Sequence, residues 1–208
     1  MRTLALALLV PVAVCAACTR KDESPPAVTP ATSQVTPATA PAPAAGAADA
    51  RGAADSPPQT TAMASLVAAP GSAAKGDLTL TAEGVAVRIQ GEITGLTPGQ
   101  EHGFHVHENG VCSLPDFASA GEHLNPTKDP HGGPKSTARH LGDVPNVKAD
   151  ENGRASVDVA VQGATLVDPD GGPNQILGKA LVVHAMPDDY KTQPSGGSGA
   201  RIACGVIR

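Results

Sequence analysis

From about residue 71 onward, apolar and polar side chains alternate with a period of two, the spacing of a strand with one buried face. The stretch "VAVRIQGEI" sets Val85, Val87, Ile89 and Ile93 on one face against Arg88 and Gln90 on the other, and "ASVDVAV" repeats the pattern with Val157, Val159 and Val161. "LTLTAEG", "HGFHVH", "KALVVHA" and "RIACGVI" supply further short strands, separated by the turn-forming stretches "TGLTPGQ", "ADENG" and "DPDGGPN". No segment carries a helical period. Short alternating strands with turns between them predict an all-β sandwich or barrel over residues 71–208. Two connections, 108 to about 150 and 185 to 201, exceed hairpin length, and loops of that size in a compact domain carry function or move.

Upstream the pattern disappears. Residues 19–70 are dominated by Ala, Pro and Thr, which bury too little surface to offset the entropy of ordering them, so this stretch reads as a disordered tether. A flexible coil of that length reaches about 40 Å. At residues 1–18, a basic start at Arg2 and an apolar run from Leu4 to Val14, too short to span a bilayer, read as a secretory signal. The following "CAACT" resembles a bacterial lipoprotein processing box, which makes Cys18 the lipid-bearing residue. An ordinary cleavage site between Val14 and Ala17 is the alternative, and a Cys15–Cys18 redox pair is a third reading without the βαβ context that motif needs. Composition changes the picture in two ways. With two Phe, one Tyr and no Trp, the core must be aliphatic, and a net charge of -5 without a basic stripe argues against nucleic acid as a partner.

The chemistry is carried by histidine. In "GFHVHENG", His105 and His107 point to one side of a strand and Phe104 and Val106 to the other. Alone, such a pair reads first as two polar residues on a solvated face, and only second as two metal ligands. Yet all seven histidines fall between His102 and His184, and histidine is the commonest transition-metal ligand. His131, His140 and Asp143 can close a tetrahedral site with one further histidine, a donor set that zinc accepts.

The ordered blocks "GFHVHENGVCS", "AGEHLNP", "HGGP", "RHLGDVPNV", "LVVHAMPDD" and "GARIACGVI" resemble those of the copper/zinc superoxide dismutases, especially their bacterial secreted branch. The resemblance spans nearly all of residues 76–208. It implies a Greek-key barrel of about eight antiparallel strands with two long functional loops. It implies copper held by His105, His107, His123 and His184, and zinc held by His123, His131, His140 and Asp143, one of each metal per subunit. His123 is then shared between them and acts in catalysis. Asp188 hydrogen-bonds His105 and His131, His102 has a structural role without a metal, and Cys112 pairs with Cys204. Arg201 occupies the position that guides the anionic substrate. The implied activity is dismutation of superoxide in the periplasm or cell envelope, with membrane contact only through the lipid and with room for a homodimer. A non-enzymatic copper- and zinc-binding module on the same scaffold is the alternative.

Overall fold

The structure, a computed structural model, describes residues 59–208. Seven strands form one curled antiparallel sheet: β1 (Thr61–Ala68), β2 (Lys75–Glu83), β3 (Ala86–Thr94), β5 (Phe104–His107), β7 (Ala155–Gln162), β8 (Ala180–His184) and β9 (Arg201–Val206). Their spatial order is β5-β8-β9-β1-β2-β3-β7, and two short strands, β4 (Glu101–His102) and β6 (Val147–Lys148), pair separately. β1, β2 and β3 follow as a meander. The chain then crosses to the far edge to form β5, returns to the opposite edge for β7 beside β3, and crosses once more between β7 and β8, so the sheet is not a simple up-and-down one. No α-helix occurs among the described residues; the single helical turn is the 3-10 segment Ala118–Ala120.

The predicted alternation sorts the core. Leu78 and Leu80 on β2, Val87, Ile89 and Ile93 on β3, and Val157 and Val161 on β7 face inward with Phe104, Val106, Leu181 and Val183. Gly91 interrupts the β3 alternation because β2 approaches it closely. Its φ is +149°, and a Cβ there would lie 2.3 Å from the Asp77 carbonyl oxygen and 2.9 Å from Leu78 Cδ2. On the outward face of the sheet, Arg88 pairs with Asp158 on the neighbouring strand at 2.7 Å.

Two sequence readings are corrected. Val85 does not join the inner face: it sits in the β2–β3 turn and is 80% exposed. The folded region also begins before residue 71, because Thr61–Ala68 is a strand between β2 and β9 rather than tether. Its inward positions are Ala62, Ala64 and Leu66, and Ala62 and Ala64 lie opposite Leu80 and Leu78. Small side chains make room for large ones there, so alternation is present but written in alanine, a residue with little strand preference. The signal, the lipid box at Cys18 and most of the tether lie outside the described residues.

The β5–β8–β9 end is covered on both faces. Phe104, Val106, Leu181 and Val183 fill the inner core, while Ala180, Val182 and Cys204 pack outward against Phe117 and Ala120 of the long loop. All four residues of β5 and all five of β8 are therefore buried, and His105 and His107 lie beneath a loop rather than in water.

Candidate metal centre

The long loop runs back along β5 and brings its own ligands with it. The Leu124 N–H donates to the Val106 carbonyl at 2.8 Å, and the Val106 N–H donates to the Gly142 carbonyl at 3.0 Å. These bonds set His123 beside His107 and Asp143 beside His105. Gly142 permits the approach, since a Cβ there would lie 2.1 Å from the Val106 carbonyl oxygen. On β8 the register with β9 shifts between Val183 and His184, an irregularity of the kind that re-aims a side chain at a strand end.

Two buried groups result. His105, His107, His123 and His184 form one; His123, His131, His140 and Asp143 form the other. Within each group the ligand atoms lie within 4.8 Å of one another, and His123 belongs to both. Hydrogen bonds select the nitrogen that four of the rings turn inward. His107 Nδ1–H donates to the Gly121 carbonyl at 2.9 Å and His184 Nδ1–H to that of Gly199 at 3.2 Å, which frees both Nε2 atoms, 3.4 Å apart. The Asp188 carboxylate accepts from His105 Nε2–H at 2.9 Å and from His131 Nε2–H at 3.0 Å, which turns both Nδ1 atoms inward. Partners of this type fix ring tautomer and orientation at metal sites.

The donor set fits metal ions. His105 Nδ1, His123 Nε2, His131 Nδ1 and His140 Nδ1 are buried without a hydrogen-bond partner, an arrangement that costs about 1–3 kcal/mol per group unless something else engages it. His131 Nδ1 and His140 Nδ1 stand 3.0 and 3.2 Å from the Asp143 carboxylate yet make no hydrogen bond with it. Three nitrogens and a carboxylate converging in this way match a tetrahedral N/O site.

Electrostatics separates the two groups. Burial lowers the pKa of His105 to about 4, of His107 to about 2 and of His184 to about 3, so these rings are neutral and ready to ligate. At His131 burial opposes the charge, but the Asp143 and Asp188 carboxylates outweigh it and raise the pKa to about 9. Burial likewise works against both carboxylates. The surrounding rings nevertheless hold Asp143 and Asp188 well below the usual carboxylate range.

Arg201 opens β9 opposite His184. Its Nη1 donates to the Phe117 carbonyl at 2.7 Å and its Nη2 to that of Gly121 at 2.6 Å, so one backbone oxygen orients both Arg201 and His107. Cys112 and Cys204 are disulfide-bonded with a Cα separation of 5.7 Å, which ties this loop to β9. His102 stands outside both groups, and its Nδ1–H donates to the His184 carbonyl at 2.8 Å. The sequence reading missed the carbonyls of Gly121 and Gly199, which carry no side-chain signal. It also missed the carboxamides of Asn146 and Gln193, which look like any polar loop residue.

An all-β scaffold carrying two adjoining, buried, histidine-rich ligand groups with one shared member defines a protein built for a paired metal centre. Residues 74–207 match the copper/zinc superoxide dismutase family, and the chain belongs to it. Copper-zinc superoxide dismutase 1 of Aquifex aeolicus is 42% identical over 137 residues, covering 64% of this chain and 79% of its own. The copper-zinc superoxide dismutase of Caulobacter vibrioides is 43% identical over 136 residues, covering 64% and 78%. Among solved structures, a double mutant of a SOD-like protein from Bacillus subtilis superposes with a TM-score of 0.63 at 37% identity, over 69% of this chain and 94% of that one. Copper and zinc are the cofactors that this family implies.

Proposed function

We infer that the protein is a superoxide dismutase, converting two superoxide anions and two protons to oxygen and hydrogen peroxide. The observation that carries this reading is the shared ring of His123 between two buried ligand groups, in a chain of this family. His105, His107, His123 and His184 are the copper ligands; His123, His131, His140 and Asp143 hold zinc. A copper ion held there would supply the one-electron redox chemistry that dismutation needs, whereas zinc, which has no redox change, would serve structure and tuning.

The remaining work falls to the protein. His123 Nδ1 lies 2.8 Å from Asp143 Oδ1, on the zinc side, so its buried Nε2 is the atom that can hold a proton and return it beside the copper group. Arg201 is held beside His107 by two carbonyls and gives a small anion a fixed positive partner despite the negative net charge. The covering loop keeps His105 and His107 out of water, which strengthens these interactions.

The test is dismutation by copper- and zinc-loaded protein with metal content measured on the same sample. The expected rate lies in the diffusion-limited range for which superoxide dismutases are known, roughly 10⁸ to 10⁹ M⁻¹s⁻¹, and falls as salt is added. In Arg201→Ile the rate should drop, on the order of tenfold, and lose much of its salt dependence with metal content intact. Full metal occupancy with negligible turnover would make the protein a metal-binding module instead.

Zinc loading should also release a proton. His131, raised to about 9, is protonated at pH 7 in the metal-free protein, and a ligating ring must be neutral. Apparent zinc affinity should therefore rise about tenfold per pH unit from this group up to about pH 9 and then level off. Calorimetry at pH 7 in buffers of different ionisation enthalpy reads the proton directly, and a buffer-independent heat would contradict this assignment.

The Cys112–Cys204 disulfide and the apolar N-terminal run support export, because such bonds persist in oxidising compartments. Within that reading, residues 1–18 hold the signal and its lipid box, Cys18 carries the lipid as the new N-terminus, and the Ala/Pro/Thr stretch tethers the barrel in the periplasm or cell envelope. Labelled palmitate should enter the wild-type chain at this residue. Label retained after Cys18→Ser would overturn the anchor.

A further inference from the structure

Two carboxamides clasp the loops that meet at Asp188. Asn146, at the end of the long loop, donates from Nδ2 to the Asp188 carbonyl at 3.0 Å and accepts the Asp188 N–H at 2.9 Å. Gln193, on the loop between β8 and β9, makes the reverse connection. Its Oε1 accepts the His131 N–H at 2.8 Å and its Nε2 donates to the His131 carbonyl at 2.9 Å. Between the clasps lies the Asp188–His131 bond of 3.0 Å.

We propose that Gln193 is a positioning residue that presets His131 for its metal and so tunes the affinity of that group independently of the copper group, an inference resting on the assignment of His131 to zinc. His131 needs such help. It is followed by Gly132 and Gly133, which leave the backbone many conformations to lose when a ligand must be ordered. A carboxamide is the side chain that can both accept from the N–H and donate to the carbonyl of one residue; a carboxylate at that place sets oxygen against oxygen.

Gln193 is itself firmly presented. The Asp189 carboxylate accepts from the Lys191 and Thr192 N–H groups at 2.9 and 2.8 Å and from the Thr192 hydroxyl at 2.6 Å, and the Gly196 N–H donates to the Thr192 carbonyl at 2.7 Å. The clasp therefore extends from a closed turn. His131 is not in the copper group, whose members take their orientation from Gly121, Gly199, Asp188 and Asp143. Loss of the clasp should weaken zinc selectively.

The experiment uses the full-length protein, stripped of metal, with zinc and copper affinities measured separately by competition with a chromophoric chelator. Unfolding of the metal-free protein is followed in parallel. Gln193→Met, close in shape but unable to make either bond, should lower zinc affinity about tenfold, the low end for partners that orient a ligand, and change copper affinity less than about twofold. Gln193→Glu keeps the accepted bond but sets an oxygen against the His131 carbonyl, so it too should bind zinc more weakly than the wild type. Cobalt in the zinc group should show an altered visible spectrum in Gln193→Met. Unchanged zinc affinity in both variants overturns the proposal, and so does a parallel loss of zinc affinity, copper affinity and metal-free stability, which marks a merely structural residue. Wild-type protein that binds both metals without dismuting superoxide would sink the functional reading and leave the role of Gln193 standing.

Discussion

Replacing both cysteines, Cys112→Ala with Cys204→Ala, should lower the stability of the folded domain by about 4–5 kcal/mol, the chain-entropy value for so long a closed loop. The bond joins residues 92 apart, so the unfolded chain regains a large set of conformations when it is cut. For a domain of ordinary stability, about 5–15 kcal/mol, this is about a quarter of the total or more. Alanine at both sites avoids a stray thiol and leaves no unpaired hydroxyl at position 204, which is fully buried. Urea unfolding is the measurement. The midpoint should fall and the slope rise, because the uncrosslinked chain exposes more surface. A change below about 1 kcal/mol would mean that packing of Phe117 and Ala120 against Val182 holds the loop by itself. The functional consequence follows from geometry: the carbonyls of Phe117 and Gly121 orient Arg201, and their segment is the one the disulfide fastens.

How much of this was legible depends on what each position contributes. β3 and β7 were readable because Val87, Ile89, Val157 and Val161 write their inward face in β-branched residues. β1 was not, because its inward face is Ala62, Ala64 and Leu66, indistinguishable by composition from the alanine-rich stretch before it. Val85 continued the alternation in sequence while the chain was already turning. The histidines that meet at the site are far apart in the chain. His105 and His184 come together because β5 pairs with β8, a fact that spacing cannot supply and that the ordered family blocks could. What no pattern could supply is the selection of one nitrogen per ring, since it rests on the backbone oxygens of Gly121 and Gly199.

Asp188→Ala should have the largest effect on the metal centre, lowering zinc affinity about 10- to 100-fold. The carboxylate is buried and serves three donors: His105 Nε2–H, His131 Nε2–H and the Tyr190 N–H at 2.6 Å. Without it, two buried ring N–H groups lose their acceptor, and either nitrogen of each ring can turn inward. Copper affinity should fall less, because His107, His184 and His123 keep Gly121, Gly199 and Asp143 as their partners. A second readout separates lost orientation from general loosening. Asp188 is one of the two carboxylates that raise His131 to about 9; its removal lowers that pKa, so the proton released on zinc binding at pH 7 should shrink. Gly196→Ala tests the same contact from the other side. A Cβ there would lie 1.8 Å from Asp188 Oδ1 and 2.8 Å from His131 Nε2, at a φ of +67° that favours glycine, so the carboxylate must move. If Asp188→Ala binds zinc as the wild type does, with the same proton release, the carboxylate is a bystander and the two loops are aligned by Asn146 and Gln193 alone.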